Sequence, residues 1–103
     1  MEGILKQELL RLKETAKSYL REIAKLPKGS LQEKRIKEIR YLYLVSSKNS
    51  KLSYRYLNNL SKEDLKKLKD GVALRKKYQS LLKEVQQDIK RIKKILHGKK
   101  RAI

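Results

Sequence analysis

Arg40–Leu57 reads RYLYLVSSKNSKLSYRYL and holds four of the six tyrosines in the chain. Tyr41, Tyr43 and Val45 recur with a period of two while Leu42 and Leu44 take the alternate positions, as on a pleated strand whose side chains alternate between faces. Leu52, Tyr54 and Tyr56 repeat the pattern opposite Ser53, Arg55 and Leu57. The β-branched and aromatic content suits strands. Polar Ser46–Lys51, which includes an asparagine tolerant of left-handed geometry, reads as the hairpin loop between them. Upstream, Leu31–Ile39 reads as a third, more polar strand at the sheet edge, where its lysines discourage edge-to-edge pairing. Residues 30–57 are therefore expected to form a two- to three-stranded antiparallel β-meander.

On both sides of this insert the period lengthens. Leu5, Leu9, Leu12, Ala16, Tyr19, Ile23 and Leu26 alternate steps of four and three, the spacing of a coiled-coil seam. Ile4, Leu10, Leu20 and Ala24 widen that stripe, so a helix over 3–26 is expected to meet more than one neighbour. Pro27 ends it, and Gly29-Ser30 supplies a flexible exit. Beyond Asn58-Asn59, Ser61-Lys-Glu-Asp64 resembles a capping box and opens a second helix over 61–97. Leu65, Leu68 and Val72 form its first stripe, placed to lie under the sheet. Leu74, Tyr78, Leu82, Val85, Ile89, Ile92 and Leu96 continue as a heptad seam. Val72 and Leu74 cannot share one seam, and glycine in a helix costs about 1 kcal/mol against alanine. A bend or short break is therefore expected near Asp70-Gly71. Gly98 ends the helix, His97 serves as a capping residue, and 98–103 is a basic tail. The expected fold is α+β: a long antiparallel, coiled-coil-like helical pair with the meander inserted, all in one domain.

The chain has 103 residues, with 29 Lys and Arg against 11 Asp and Glu, a net charge of +18. Folding does not require such an excess, which adds self-repulsion; a polyanionic partner explains it, as does the lysine-rich codon usage of an AT-rich genome. Absence of cysteine removes disulfides, thiolate nucleophiles and thiolate metal sites. The single histidine, His97, cannot build a zinc or nucleophile-activating constellation alone. Carboxylates occur as scattered helical ion pairs rather than as an acid/base couple. The expectation is a non-enzyme with no cofactor and no metal. No apolar run approaches a signal-peptide core or a membrane span, so the expected location is cytoplasmic, without a membrane partner.

Two arrangements of the sheet satisfy the pattern. Either the tyrosines pack on the helix as cross-strand aromatic pairs, or the aliphatic set Leu42, Leu44 and Leu57 does, leaving Tyr41, Tyr43, Tyr54 and Tyr56 wet. The second is preferred, because tyrosines can keep their hydroxyls in water. An open tyrosine face would then lie among Lys34, Lys37, Arg40, Lys48, Lys51 and Arg55, cations that track phosphates while rings stack on bases or sugars. Arg35, Arg40 and Arg55 are the candidates for reading guanine edges. Lys90, Arg91, Lys94, Lys99, Lys100 and Arg101, in a segment without acidic residues, read as a nonspecific backbone clamp.

The order of a helix, PKGSL at Pro27–Leu31, the strand RYLYLV, a basic hairpin, the strand KLSYRYL and a capped long helix resembles small basic proteins of bacterial chromosomes, phages and mobile elements. Its three-strand-then-helix portion, Ser30 to about Val72, is also similar to the arm-type DNA-binding modules of tyrosine recombinases, whose sheet enters the major groove. The chain departs from those modules in its turns, Lys37-Glu38-Ile39 and Lys48-Asn49-Ser50, which lack glycine, and in its extra N-terminal helix. The leading expectation is a nonenzymatic nucleic-acid-binding protein, acting on DNA or RNA, that dimerises through the coil. The alternative is a phage or mobile-element interaction protein, such as an anti-CRISPR inhibitor, whose partner is a protein in a nucleoprotein complex.

Overall fold

The computed structural model describes residues 2–98, in the order α1 (Glu2–Lys25), β1 (Ser30–Ile36), β2 (Ile39–Lys48), β3 (Lys51–Tyr56) and α2 (Lys62–Gly98). Two compact units divide it, residues 26–76 forming one and residues 2–25 with 77–98 the other. The class is α+β, an antiparallel helical pair with an antiparallel three-stranded meander between the helices in sequence.

In the helical unit the heptad positions of α1 turn inward: Leu12 and Ile23 are buried, and Leu5, Leu9, Ala16 and Tyr19 are half-buried. Their counterparts on α2 are Tyr78, Leu82, Val85, Ile89, Ile92 and Leu96, all half-buried. Tyr19 stacks at a tilt on Tyr78, ring centroids 5.7 Å apart. Glu8, Arg11 and Leu12 border the same recess as Asp88, Arg91 and Ile92. Rising numbers on α1 meet falling numbers on α2, so the pair is antiparallel. The flanking residues Ile4, Leu10, Leu20 and Ala24 are exposed, contrary to the expected second neighbour. The stripe that packs is the narrow heptad one, because a single partner helix covers only a seam.

The sheet has the order β1-β2-β3. Each hairpin closes with two residues at positive φ, Lys37 (51°) and Glu38 (70°) in the first, Asn49 (53°) and Ser50 (64°) in the second. Positive φ at both central positions is what a type I′ turn requires, and its twist matches the flanking strands. The loop expected over Ser46–Lys51 is thus only Asn49-Ser50, and the strand expected over Leu31–Ile39 is interrupted by a turn at Lys37-Glu38.

One face of the sheet packs on the start of α2. Leu44, Leu57 and Val72 are its buried core, with Leu31, Leu42, Leu60, Leu65 and Leu68 packed around them; Leu57 is 0% exposed. Each leucine so removed from water contributes about 1.5–3 kcal/mol before entropy is counted. Ser61 caps α2: its Oγ accepts from the Asp64 N–H at 3.1 Å, and its carbonyl accepts from the Leu65 N–H at 2.9 Å.

Helix α2 runs unbroken through Asp70-Gly71. A Cβ on Gly71 would sit 2.9 Å from Cδ and 3.0 Å from Cγ of Pro27, so the glycine makes room for the proline ring. The expected seam through Leu74 also fails, since Leu74 is 41% exposed and Arg75 takes the inward position. Two consecutive steps of three, Val72 to Arg75 to Tyr78, shift the inward stripe without breaking the helix.

Candidate nucleic-acid interface

The strand register settles which side chains share the second face. Tyr43 lies opposite Tyr56, Val45 opposite Tyr54, and Ser47 opposite Leu52; across the other ladder Tyr41 faces Lys34, Tyr43 faces Gln32, and Ile39 faces Ile36. Because residues paired across a ladder point to one side, all four tyrosines of the meander lie together, opposite the leucine core.

They form one cluster. Tyr43 lies 5.7 Å from Tyr56 and meets Tyr54 edge-on at 6.3 Å, while Tyr41 lies 6.3 Å from Tyr56. Lys34 Nζ reaches over the rings of Tyr54 and Tyr43, 5.5 and 5.8 Å from their centroids, a favourable placement of a cation on aromatic faces. Tyr41 and Tyr43 are half-buried by these neighbours, whereas Tyr54 and Tyr56 are 51% and 43% exposed. Ile36, Ile39 and Leu52 extend the face as exposed aliphatic side chains, and only Val45 among its large residues is buried.

The same register separates most of the expected cations from the rings. Of the basic residues on the strands, Lys34 alone shares the tyrosine face. Arg35 and Arg40 lie opposite each other on the leucine side, Arg55 lies there opposite Leu44, and Lys48 pairs with Lys51 beside the second turn. Lys37 occupies the first turn, at the other end of β2. The mixed ring-and-cation face expected from the sequence is therefore a tyrosine face with one lysine, backed and flanked by the remaining charges. Strand alternation explains it: Arg40 and Arg55 are odd-step neighbours of Tyr41, Tyr54 and Tyr56 and must point away from them.

Arg40 is engaged as well. Its guanidinium forms a two-pronged ion pair with the Glu33 carboxylate, one prong measuring 3.0 Å. The hydrogen bonds from Arg40 hold the Glu33 carboxyl below its ordinary pKa, helped by the charges of Arg40, Arg35 and Lys69, against a smaller opposing effect of desolvation. Arg55 lies beside the start of α2, in a recess with Pro27, Asp64 and Lys67.

On α2, Lys90 and Lys94 line one groove of about 390 Å³ with Lys93 and His97. Lys90 and Lys93 continue toward Lys83 along a second groove of about 530 Å³. Arg91 points elsewhere and lies 3.4 Å from Asp88. Lys99, Lys100 and Arg101 lie outside the described residues.

No family model, curated protein or solved structure matches the chain. Among the described residues no helix is long and apolar enough to cross a membrane. No cluster of three or more His, Cys, Asp or Glu there is placed to hold a metal ion.

Two residues that matter to this architecture carried little signal. Asn58 accepts from the Leu42 N–H at 2.7 Å through Oδ1 and donates to the Arg40 carbonyl at 2.7 Å through Nδ2. Its amide thus extends the β2 ladder beyond the end of β3, where the Leu57 N–H has just bonded the Leu42 carbonyl at 2.9 Å. Arg75 occupies an inward helix position, and its Nη1 is buried without a hydrogen-bond partner among the described residues. A charged residue at a seam spacing, three after Val72 and three before Tyr78, was the available clue.

Proposed function

We propose that the chain is a nonenzymatic nucleic-acid-binding protein whose exposed tyrosine face stacks on bases, while Lys34 on that face and the lysines and arginines elsewhere on the surface neutralise phosphates. The observation that carries the reading is the solvent-facing cluster of Tyr43, Tyr54 and Tyr56 with Lys34 lying over two of the rings, in a protein of net charge +18. Aromatic platforms bind single strands with little sequence preference because every base has a π-face. Separation of the rings from Arg35, Arg40 and Arg55 favours stacking on unpaired bases over insertion of the sheet into a duplex groove. The Lys83–Lys90–Lys94 side of α2 supplies a second cationic surface for backbone contacts.

Fluorescence anisotropy with single-stranded DNA and RNA across a salt series tests the reading. Log affinity falls linearly with log salt, by about 0.7 for each phosphate neutralised on a single strand. A flat salt response, or no binding at low salt, contradicts it.

The exposed aliphatic residues on the tyrosine face, Ile36, Ile39 and Leu52, favour a second reading. In it that face docks on a protein within a nucleoprotein complex, as an inhibitor from a phage or mobile element would. One stoichiometric protein partner that is retained after nuclease treatment and lost on Leu52→Lys supports this second reading over the first.

A further inference from the structure

At the end of the sheet where β1 begins and β2 finishes, a recess of about 430 Å³ is walled by Lys28, Gly29, Ser30, Ser46, Ser47 and Arg75. Three separate segments, the entry to β1, the last part of β2 and α2, bring these residues together. Two of them are cations and three carry hydroxyls; Gln32 and the apolar Val45 and Leu52 complete the lining, with no carboxylate among the described residues. Arg75, which borders the recess, has its Nη1 buried with no hydrogen-bond partner among the described residues. A guanidinium does not deprotonate and cannot accept a hydrogen bond. A desolvated, unpaired N–H of that kind is costly unless an anion or another acceptor meets it.

Gly29 contributes through its backbone. Its φ of 116° is closed to other residues, and a Cβ there would lie 2.7 Å from the Val45 carbonyl oxygen and 3.1 Å from Leu44 Cδ1. The glycine lets the chain pass tightly over β2, so Lys28 and Ser30 are held beside Ser46 and Ser47.

We propose that this recess binds a phosphate group. An arginine, a lysine and serines of β1 and β2 border it from three chain segments, donors that suit the several oxygens of a tetrahedral oxyanion. Two sources carry the same group, a free phosphate compound and a phosphate of a nucleic-acid strand; only the second rests on the function proposed above.

Titrating the full chain with inorganic phosphate, at ionic strength held constant with chloride, tests the site by two-dimensional ¹H–¹⁵N NMR. Saturable shifts are expected at the Arg75 Nε–H and at the amides of Gly29, Ser30, Ser46 and Ser47. Arg75→Gln is expected to weaken them at least tenfold. Arg75→Lys keeps the charge without the fork; should Arg75→Gln fail to fold, Arg75→Lys must show the weakening instead. Shifts that never saturate, that spread evenly over the lysines of α2, or that persist unchanged in a folded Arg75 variant overturn the proposal, since the anion would then only screen charge. Repeating the titration with a single-stranded oligonucleotide assigns the source: movement of the same signals places a strand phosphate in the recess. Saturation by inorganic phosphate with no oligonucleotide binding anywhere keeps the site and defeats the nucleic-acid reading.

Discussion

Asn58 shows how one side chain finishes a sheet. Only one orientation of its amide serves both the Leu42 N–H and the Arg40 carbonyl, so a donor and an acceptor are needed at once. Asn58→Asp loses the donor and Asn58→Ala loses both; the expected cost is about 1–3 kcal/mol, measured by urea unfolding. Leu57, sealed at 0% exposure, is the larger liability, and Leu57→Ala should cost about 2–5 kcal/mol in the same assay. Glu33 gives a pH test. Because the Arg40 hydrogen bonds lower its folded-state pKa, its contribution to stability is present above the unfolded value and is lost as pH falls through the folded one. An NMR titration should place the Glu33 midpoint below that of an ordinary glutamate, and Arg40→Gln should raise it. Alternation sorts aliphatic from phenolic side chains residue by residue, but both arrangements satisfy that pattern, and it is the packing on α2 that makes the leucines the core. Asn58 was not, since a hydrogen-bonded asparagine and a loop asparagine look alike in a sequence.

The elements were read well where a period ran long and poorly where local conformation decided the boundary. The α1 heptad stripe, the α2 stripe from Tyr78 onward, the Pro27 stop and the Ser61 cap stand where the spacing put them, whereas Leu74 does not. The first hairpin turn follows only from the resemblance to arm-type modules and not from the strand pattern, because Lys37 and Glu38 carry no turn signature, yet both adopt positive φ. That conformation is strained for side chains with a Cβ. Glu38→Gly should therefore leave the fold unchanged and raise stability by up to about 1 kcal/mol in thermal unfolding. Gly71 of α2 reads as a breaker in the sequence, whereas its neighbour in space is Pro27. Gly71→Ala gains about 1 kcal/mol of helix propensity and meets the proline ring. It should destabilise the native chain yet stabilise a Pro27→Ala background, a coupling that a double-mutant cycle measures directly.

Across the whole molecule, charge was legible as a total but not as a placement. The composition announced a net charge of +18, and the meander stretch announced aromatic residues on strands. Register then decided that Lys34 would lie over the rings while Arg35, Arg40 and Arg55 turn to the other face. Period-two counting contains that division once strand pairing is known; Arg75 and its recess depend on contacts among three segments, which no single periodicity expresses. The outcome is a sheet with one dry leucine face and one open tyrosine face, and the function proposed for it lives on the open face. The most direct measurement is the affinity of a single-stranded oligonucleotide for Tyr54→Ala compared with the parent chain, at one fixed salt concentration, with folding of both confirmed by circular dichroism. Stacking on that ring predicts a loss of about 5- to 140-fold, the equivalent of about 1–3 kcal/mol for one base. Equal affinities for the two folded proteins would contradict it.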